Sequence, residues 1–178
     1  FLELDINYVK PECSLKNHFE GLNIGGFGEP KAMGLQEILS TIKKAASNEM
    51  VKGIYLKAEV SPNSYATLEE IRNELINFKK SGKFIVAYGE YMDEHAYYVA
   101  SVSDKVFLNP SGEILLNGFS QQVMYLKGMF QKIGVEPELI RHGKYKSAGE
   151  PLIADKMSNE NRQQIEAYMG NLYQHFIS

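Results

Sequence analysis

The chain has 178 residues, of which 44% are apolar and 23% are charged, and this ordinary globular balance excludes disorder as the main state. A net charge of −3 lacks the basic excess of a nucleic-acid-binding protein, so no nucleic-acid partner is predicted. One cysteine, Cys13, excludes an internal disulfide and a cysteine-based zinc site. No apolar stretch approaches the ~20 residues that span a bilayer.

The first half of the chain alternates between helical and strand patterns. Residues 34–47 have apolar positions at helical spacing, which predicts an amphipathic helix. Residues 52–60 alternate in polarity, which predicts a strand. Thr67–Glu70 has the pattern of a capping box, and the helix that it begins should end at Ser81–Gly82. The inward positions are expected at Ile54, Leu56, Ala58 and Val60 of the strand and at Leu68, Ile71, Leu75 and Phe78 of the helix.

The run Phe84–Tyr88 is apolar on both faces, as a central parallel strand requires. A helix near residues 94–102 and a strand at Val106–Leu108 should follow. Asn109–Gly112 then predicts a turn, and Ile114–Leu116 predicts another short strand. The alternation of strands and helices predicts an α/β fold with right-handed parallel crossovers.

The last third of the chain is expected to be helical over 121–132 and extended over Pro137–Arg141. A final helix should start at Ser158, with an apolar stripe at Ile165, Met169, Leu172 and Phe176. Residues 141–157 show no clear period, and a long ordered loop in a compact domain is more often functional than not.

The length predicts about one domain, over residues 1–178. The chain begins at Phe1 without a methionine or a signal peptide, and it ends at Ser178 on an apolar helical pattern without a capping glycine. These ends predict a fragment of a longer protein whose targeting segment lies outside the printed sequence.

Several formal motifs have ordinary structural explanations. The four histidines show no metal-ligand spacing, so neither a metal nor a cofactor is predicted. Gly25–Gly28 lacks the ending of a phosphate-binding loop, and the chain has no G-x-S-x-G elbow. Ser40–Lys43 matches S-x-x-K, but it lies within the first predicted helix and indicates a solvated helix face. Asp93–His95 precedes a helix. The helix dipole stabilises acidic residues at a helix N-terminus, and this structural explanation is preferred to an acid–base role.

Lys146 lies in the segment Gly143–Pro151, and its spacing alone indicates an ordinary surface lysine. Ser147 is its neighbour, but adjacent side chains on an extended chain point to opposite sides. A dyad of Lys146 and Ser147 is therefore geometrically poor. If Lys146 takes part in chemistry, its serine must come from elsewhere.

Residues 143–148, then Glu150–Pro151 and Lys156–Ser158, resemble the lysine-bearing segment of the signal peptide peptidase family SppA, also called protease IV. The similarity runs from about residue 34 to the C-terminus and is greatest to the N-terminal half of the long, two-domain form. Other similar stretches follow the same order: Val51–Leu56, Phe78–Lys83, Ala87–Gly89, Tyr97–Ser101 and Asn109–Gly112.

The resemblance implies a ClpP/crotonase-like fold of repeated ββα units with mostly parallel strands. It implies a membrane-anchored serine endopeptidase of the bacterial cell envelope that degrades cleaved signal peptides outside the cytoplasm, with this fragment itself soluble. The family uses a serine nucleophile and a lysine general base, and Lys146 matches that lysine. The implied partners are signal peptides, a C-terminal domain that bears the serine, and further copies of the same chain.

The chain departs from the family pattern at two positions. The serine of the family lies in an Ala-Ser-Gly-Gly-Tyr-like stretch, and Glu94 occupies that place within Met92–Tyr98. The resemblance therefore implies that this chain supplies the lysine base, lacks the nucleophile and is inactive alone. Gly149 replaces a bulkier residue.

A lysine has an ordinary pKa of about 10.4, and a base that works near neutrality needs burial under a partner to lower it. In the chain alone we expect Lys146 to be more exposed. Two alternatives stay open. One is a non-catalytic module of the same fold for oligomer assembly or substrate capture, which Glu94 favours. The other is a crotonase-like acyl-CoA enzyme with Glu94 as its acid or base, because fold does not fix function.

Overall fold

The computed structural model describes residues 1–7, 9 and 33–177. The chain forms two compact units, Phe1–Asn117 and Gly118–Ser178. The glycine-rich stretch Gly25–Gly28 lies outside the described residues, as do Cys13 and His18. The single domain over 1–178 stays a prediction.

The first unit is built on a four-stranded sheet with helices between its strands. The strands are β1 Leu2–Asp5, β2 Gly53–Lys57, β3 Phe84–Met92 and β4 Lys105–Ile114; the helices are α1 Leu35–Ser47, α2 Tyr65–Lys79 and α3 Glu94–Ala100. The strand order is β1-β2-β3-β4, and every pair of neighbouring strands is parallel. The described helices alternate with the strands along the chain, so the α/β prediction is confirmed.

The core of this unit follows the apolar positions of the sequence. All four inward residues of α2 are fully buried, and burying each such side chain contributes about 1.5–3 kcal/mol. Strand positions 54, 56 and 58 are also buried, whereas Val60 is 48% exposed, because β2 ends at Lys57 and the chain then leaves the sheet. The residues concerned are Leu68, Ile71, Leu75 and Phe78 of α2 and Ile54, Leu56 and Ala58 of the strand segment.

Helix α2 begins nearly one turn earlier than the capping-box pattern predicts. Ser64 is the N-cap residue, and its hydroxyl accepts a hydrogen bond of 3.4 Å from the Thr67 N–H. Because Ser64 is extended and its side chain already satisfies the third N–H of the helix, Thr67 lies within the helix. The predicted end is nearly correct, since α2 ends at Lys79 and Gly82 has a φ of +78°.

The predicted turn at Asn109–Gly112 and the predicted strand Ile114–Leu116 are wrong as separate elements, because the turn lies within β4 and β4 ends at Ile114. The pairing passes from Gly89–Leu108 to Tyr91–Glu113, so the four residues of the predicted turn form an irregular excursion from the ladder. The Asn109 amide donates 2.9 Å to the Tyr88 hydroxyl and stabilises this excursion.

The second unit contains the helices α4 Lys127–Lys132, α5 Glu150–Ile153 and α6 Asn159–Ile177. Helix α4 begins later than predicted, because residues 121–126 are not helical and the Leu126 N–H donates 2.7 Å to the Pro151 carbonyl. Helix α6 confirms the prediction from Ser158, and its apolar stripe is partly buried. Pro137–Arg141, which was expected to be extended, lies outside the described helices and strands.

No helix among residues 1–7, 9 and 33–177 combines the length and hydropathy that a bilayer crossing requires. The same residues contain no group of three or more histidine, cysteine or acidic side chains placed to hold a metal ion.

Candidate functional site

Lys146 lies in the second unit, on residues 143–149, which we call the lysine loop. Its side chain is exposed, as expected for the chain alone. The loop borders an open concavity of about 460 Å³ whose other walls are residues 139–142 and Gln164 of α6. Lys146 therefore borders a space that is open to a partner.

The backbone of the lysine loop has one left-handed glycine and is held by two hydrogen bonds. Gly143 has a φ of +101°, a conformation that glycine adopts without steric cost. The Arg141 guanidinium donates 3.3 Å to the Lys146 carbonyl, and the Glu150 N–H donates 2.9 Å to the Ser147 carbonyl. The carbonyl groups of Lys146 and Ser147 thus have fixed partners.

Glu150 anchors the end of the loop to the start of α6. Its side chain is only 4% exposed, and its carboxylate accepts 3.2 Å from the Ser158 N–H and 2.8 Å from the Asn161 amide. The Ser158 hydroxyl in turn accepts 3.2 Å from the Asn161 N–H. This is a capping box in which the glutamate comes from another segment of the chain instead of from the helix itself.

The buried carboxylate is tolerated because it is hydrogen-bonded at the N-terminal end of a helix. Hydrogen bonds from Ser158, with another from Asn161 and the nearby positive charge of Arg141, hold the pKa of the Glu150 carboxyl below its usual range. Glu150 therefore stays ionised and keeps both bonds through the neutral pH range.

The side chain of Ser147 is hydrogen-bonded to α6. Its hydroxyl donates 3.3 Å to the Gln164 side-chain carbonyl on α6. Among the described residues, the Lys146 amine makes no hydrogen bond or ion pair. The interpretation that these two neighbours form no dyad is confirmed.

Gly149 lies against the side chain of Leu139. A Cβ atom added at Gly149 would lie 2.4 Å from Leu139 Cδ1, so any larger residue would displace that side chain. The departure from the family pattern at this position is therefore matched by a leucine on the facing segment.

Glu94 lies in the first unit, directly after β3, as the first residue of α3. Asp93 is the N-cap of that helix and accepts 2.9 Å from the Ala96 N–H, and Glu94 accepts 2.6 Å from the Asn117 N–H. The interpretation as acidic residues at a helix N-terminus is confirmed. Glu94, which the resemblance is expected to place at the family serine, thus carries a carboxylate that accepts a main-chain hydrogen bond.

The imidazole ring of His95 and the phenol ring of Tyr65 lie beside the start of α3. His95 Nδ1 is 3.7 Å from an Asp93 oxygen, and its ring centroid is 4.4 Å from that of Tyr65. Burial, together with the negative charges of Glu94 and Asp93, raises the pKa of Tyr65 to about 12. The phenol therefore stays neutral over the physiological range.

The S-x-x-K match on α1 is structural, as predicted. The Ser40 hydroxyl donates 2.9 Å to the Glu37 carbonyl within the helix, and the Lys43 amine lies 3.8 Å from the Glu74 carboxylate. Serine and lysine are therefore each engaged with other groups.

The anchoring role of Glu150 is not predicted by the sequence analysis. One signal for it does exist. Ser158 is followed three residues later by Asn161 instead of the glutamate or glutamine of a capping box, so the N-terminus of α6 needs an acceptor from elsewhere.

Comparison with protein families matches residues 77–178 to peptidase family S49. Among curated proteins, the chain is 35% identical over 82% of its length to "Serine protease SPPA, chloroplastic" of Arabidopsis thaliana. It is 28% identical over 86% to "Protease 4" of Haemophilus influenzae and 33% identical over 80% to "Protease 4" of Salmonella typhi. The matched regions are 21%, 25% and 23% of those proteins, respectively. With its parallel sheet and alternating helices, the chain has the expected ClpP/crotonase-like α/β fold and belongs to peptidase family S49.

Proposed function

We propose that this chain is the lysine-bearing part of a serine endopeptidase and that Lys146 is its general base. The observation that carries the proposal is the setting of Lys146 within the family match. Its amine is without a partner among the described residues, on a loop anchored by a buried carboxylate, at the border of an open concavity. Such a setting leaves the amine available to a group that a partner brings.

The partner in this proposal is a domain that bears the serine. The neutral lysine amine takes the proton of the serine hydroxyl, and the serine oxygen attacks the scissile carbonyl. The ammonium then returns a proton to the leaving amine, and a water activated by the same base hydrolyses the acyl-enzyme. The Ser147 hydroxyl donates to Gln164 and Glu94 has no hydroxyl, so the proposal takes the nucleophile from the serine-bearing domain that the family resemblance implies.

A partner is also needed for the chemistry of the base. A lysine ammonium in water has an ordinary pKa of about 10.4, so a lysine base works near neutrality only where water is excluded. Closure of the serine-bearing domain or of a peptide over the concavity removes that water. The proposal therefore requires that the chain assemble with its partner before catalysis and that the chain alone be inactive.

The proposed substrates are cleaved signal peptides. A further relative, 24% identical over 80% of this chain, is named "Putative signal peptide peptidase SppA" in Enterococcus faecium, which supports this substrate class. We further propose that the full-length protein is a membrane-anchored homo-oligomer of the bacterial cell envelope with this region outside the cytoplasm.

The test uses the longer protein with Lys146→Ala and, as a matched control on the same loop, Lys144→Ala. We expect Lys146→Ala to lower kcat for an apolar peptide substrate by about 10²–10⁴-fold, the usual contribution of a general base, and Lys144→Ala to have little effect. Cleavage by Lys146→Ala within about tenfold of the unchanged protein would show that Lys146 is not the base.

A non-catalytic module is the second candidate, and Glu94 is the observation that favours it. Its carboxylate accepts the Asn117 N–H and so has a structural partner at the place of the family serine. The same variants discriminate when light scattering is measured beside activity, because a purely structural region changes assembly or nothing when Lys146 becomes alanine.

A further inference from the structure

Arg141 joins the segment before the lysine loop to the main chain of Lys146. Its guanidinium Nη1 donates 3.3 Å to the Lys146 carbonyl. Both residues line the same concavity, and both are exposed. Because the guanidinium is bonded to the peptide carbonyl of Lys146 itself, its positive charge stays close to the start of the lysine side chain.

The buried carboxylate of Glu150 is a second charge near the lysine loop. Hydrogen bonds from Ser158 and Asn161 hold the pKa of this carboxyl below its usual range, and the positive charge of Arg141 adds to their effect. Within the described part of the chain, Arg141 makes no ion pair. Its charge therefore acts on the carboxylate from a distance and is not neutralised by direct contact.

The other residues around the concavity add no acidic group. Among the described residues that line it, none carries a carboxylate, and the titratable ones besides Arg141 and Lys146 are His142 and Tyr145. Helix α6 contributes Gln164, which is uncharged. The guanidinium of Arg141 is charged at every pH at which the protein is folded. It is thus the permanent positive charge beside Lys146.

The two charges have opposite effects on a lysine amine. A nearby positive charge disfavours the ammonium form, whereas a nearby carboxylate favours it. Water weakens both effects while the concavity is open, and they grow when a partner covers the concavity and water leaves. In the covered state the carboxylate of Glu150 favours a protonated Lys146, and Arg141 opposes this.

We propose that Arg141 is a positioning residue for Lys146, which holds the main chain of the lysine and offsets the charge of Glu150, so that the amine is neutral once a partner covers the concavity. This inference rests on the proposed function, because a general base must be neutral before it accepts a proton. Arg141 itself contacts the lysine loop and acts on the reaction only through Lys146.

Two substitutions in the longer protein separate the charge of Arg141 from its hydrogen bond. Arg141→Gln keeps an amide donor and removes the charge, whereas Arg141→Lys keeps the charge and loses the guanidinium fork. Because Arg141 is exposed, neither change leaves a cavity in a core. The control is Arg162→Gln, since Arg162 is an exposed arginine on α6 whose guanidinium lies 4.0 Å from Glu166.

The first measurement is kcat for an apolar peptide between about pH 5 and pH 10, because kcat reports groups in the enzyme–substrate complex. With a lysine base, kcat rises with pH as the amine loses its proton. We expect Arg141→Gln to move this rise up by about one pH unit, so that kcat at pH 7 falls about tenfold. The plateau at high pH and KM should stay within about threefold. Arg141→Lys and Arg162→Gln should leave the profile in place.

The second measurement needs no cleavage. Acetic anhydride reacts with the neutral form of an amine, so acetylation of Lys146, read by mass spectrometry, reports its protonation at each pH. The exposed Lys132 of α4 in the same protein is the internal reference. We expect Arg141→Gln to lower the ratio of Lys146 to Lys132 acetylation about tenfold at pH 7, and Arg141→Lys to keep it.

The outcomes separate this inference from the proposed function. If Arg141→Gln leaves the kcat profile and the acetylation of Lys146 unchanged while Lys146→Ala abolishes cleavage, the inference fails and the proposed function stands. Equal losses of kcat in Arg141→Gln and Arg141→Lys without a pH shift assign Arg141 a merely structural role and also overturn the inference. If cleavage survives Lys146→Ala while acetylation of Lys146 depends on the charge at position 141, the base assignment fails and the inference stands.

Discussion

The carboxylate of Glu150 accepts a hydrogen bond of 2.8 Å from the side-chain amide of Asn161, which joins the end of the lysine loop to the first turn of α6. Both side chains are buried. Their pairing couples the position of a candidate general base to the capping of a 19-residue helix.

Glu150→Ala should therefore destabilise the chain. It leaves the Asn161 amide and the Ser158 N–H without their acceptor, which costs about 1–3 kcal/mol for each buried group left unsatisfied. Glu150→Gln keeps one carbonyl acceptor and should lose less. Urea denaturation measures both, with the exposed Glu138→Ala as control. Equal stability of all three variants would show that the anchor contributes nothing.

The pH dependence of stability should carry the signature of the same carboxyl. The pKa of Glu150 is lower in the folded chain than its ordinary value of 4.5, so its contribution is fully present above pH 4.5 and is lost as pH falls through the folded value. Glu150→Gln removes this part of the acid-side loss. The measurement is the free energy of unfolding between pH 3 and pH 7, about the range that carboxyl titration spans. Parallel curves of unfolding free energy against pH for the unchanged chain and Glu150→Gln would contradict this expectation.

Two glycines should respond in opposite directions to alanine. A Cβ at Gly112 would lie 2.2 Å from the Glu90 carbonyl oxygen, so Gly112→Ala forces the backbone of the β4 excursion apart and should cost about 1–3 kcal/mol. Gly128 lies in α4 with open space around the added atom, and Gly128→Ala should stabilise that helix by about 0.5–1 kcal/mol. Thermal denaturation decides, and a loss for both variants would show that space alone does not govern the outcome.

Gly149 and Leu139 should be energetically coupled. Gly149→Ala displaces the leucine side chain, and Leu139→Ala removes the obstacle. The double variant should be more stable than the sum of the single losses predicts, by about 0.5–3 kcal/mol, the range for residues in contact. Additive losses in this double-mutant cycle would mean that the two residues do not share the space.

The parallel sheet and the buried faces of α1 and α2 were predictable because apolar periodicity reports directly which side chains meet a core. The start of α2 was missed because Ser64 and Thr67 both qualify as caps, and their competition is decided by the backbone between them. The turn predicted at Asn109–Gly112 was wrong as a separate element, because its place within one strand depends on the register with β3, which a local pattern does not contain.

The candidate site likewise has features that the sequence predicts and features that it does not. Lys146 was found through the motif around it, and its role stays a prediction. The function of Glu150 depends on Ser158 and Asn161, which lie 8 and 11 residues away. It also depends on burial of a charged side chain, which the spacing of apolar residues does not predict. The fit of Leu139 to Gly149 joins residues whose spacing follows no regular element.

Because the acceptor for the first turn of α6 comes from the lysine loop, neither part opens without the other. The amide hydrogens of Glu150, Ser158 and Asn161 belong to one cooperative unit and should exchange with solvent at a common protection free energy. Fraying of the first turn of α6 and opening of the lysine loop are then a single event. A ligand that stabilises the lysine loop should therefore slow amide exchange in the first turn of α6.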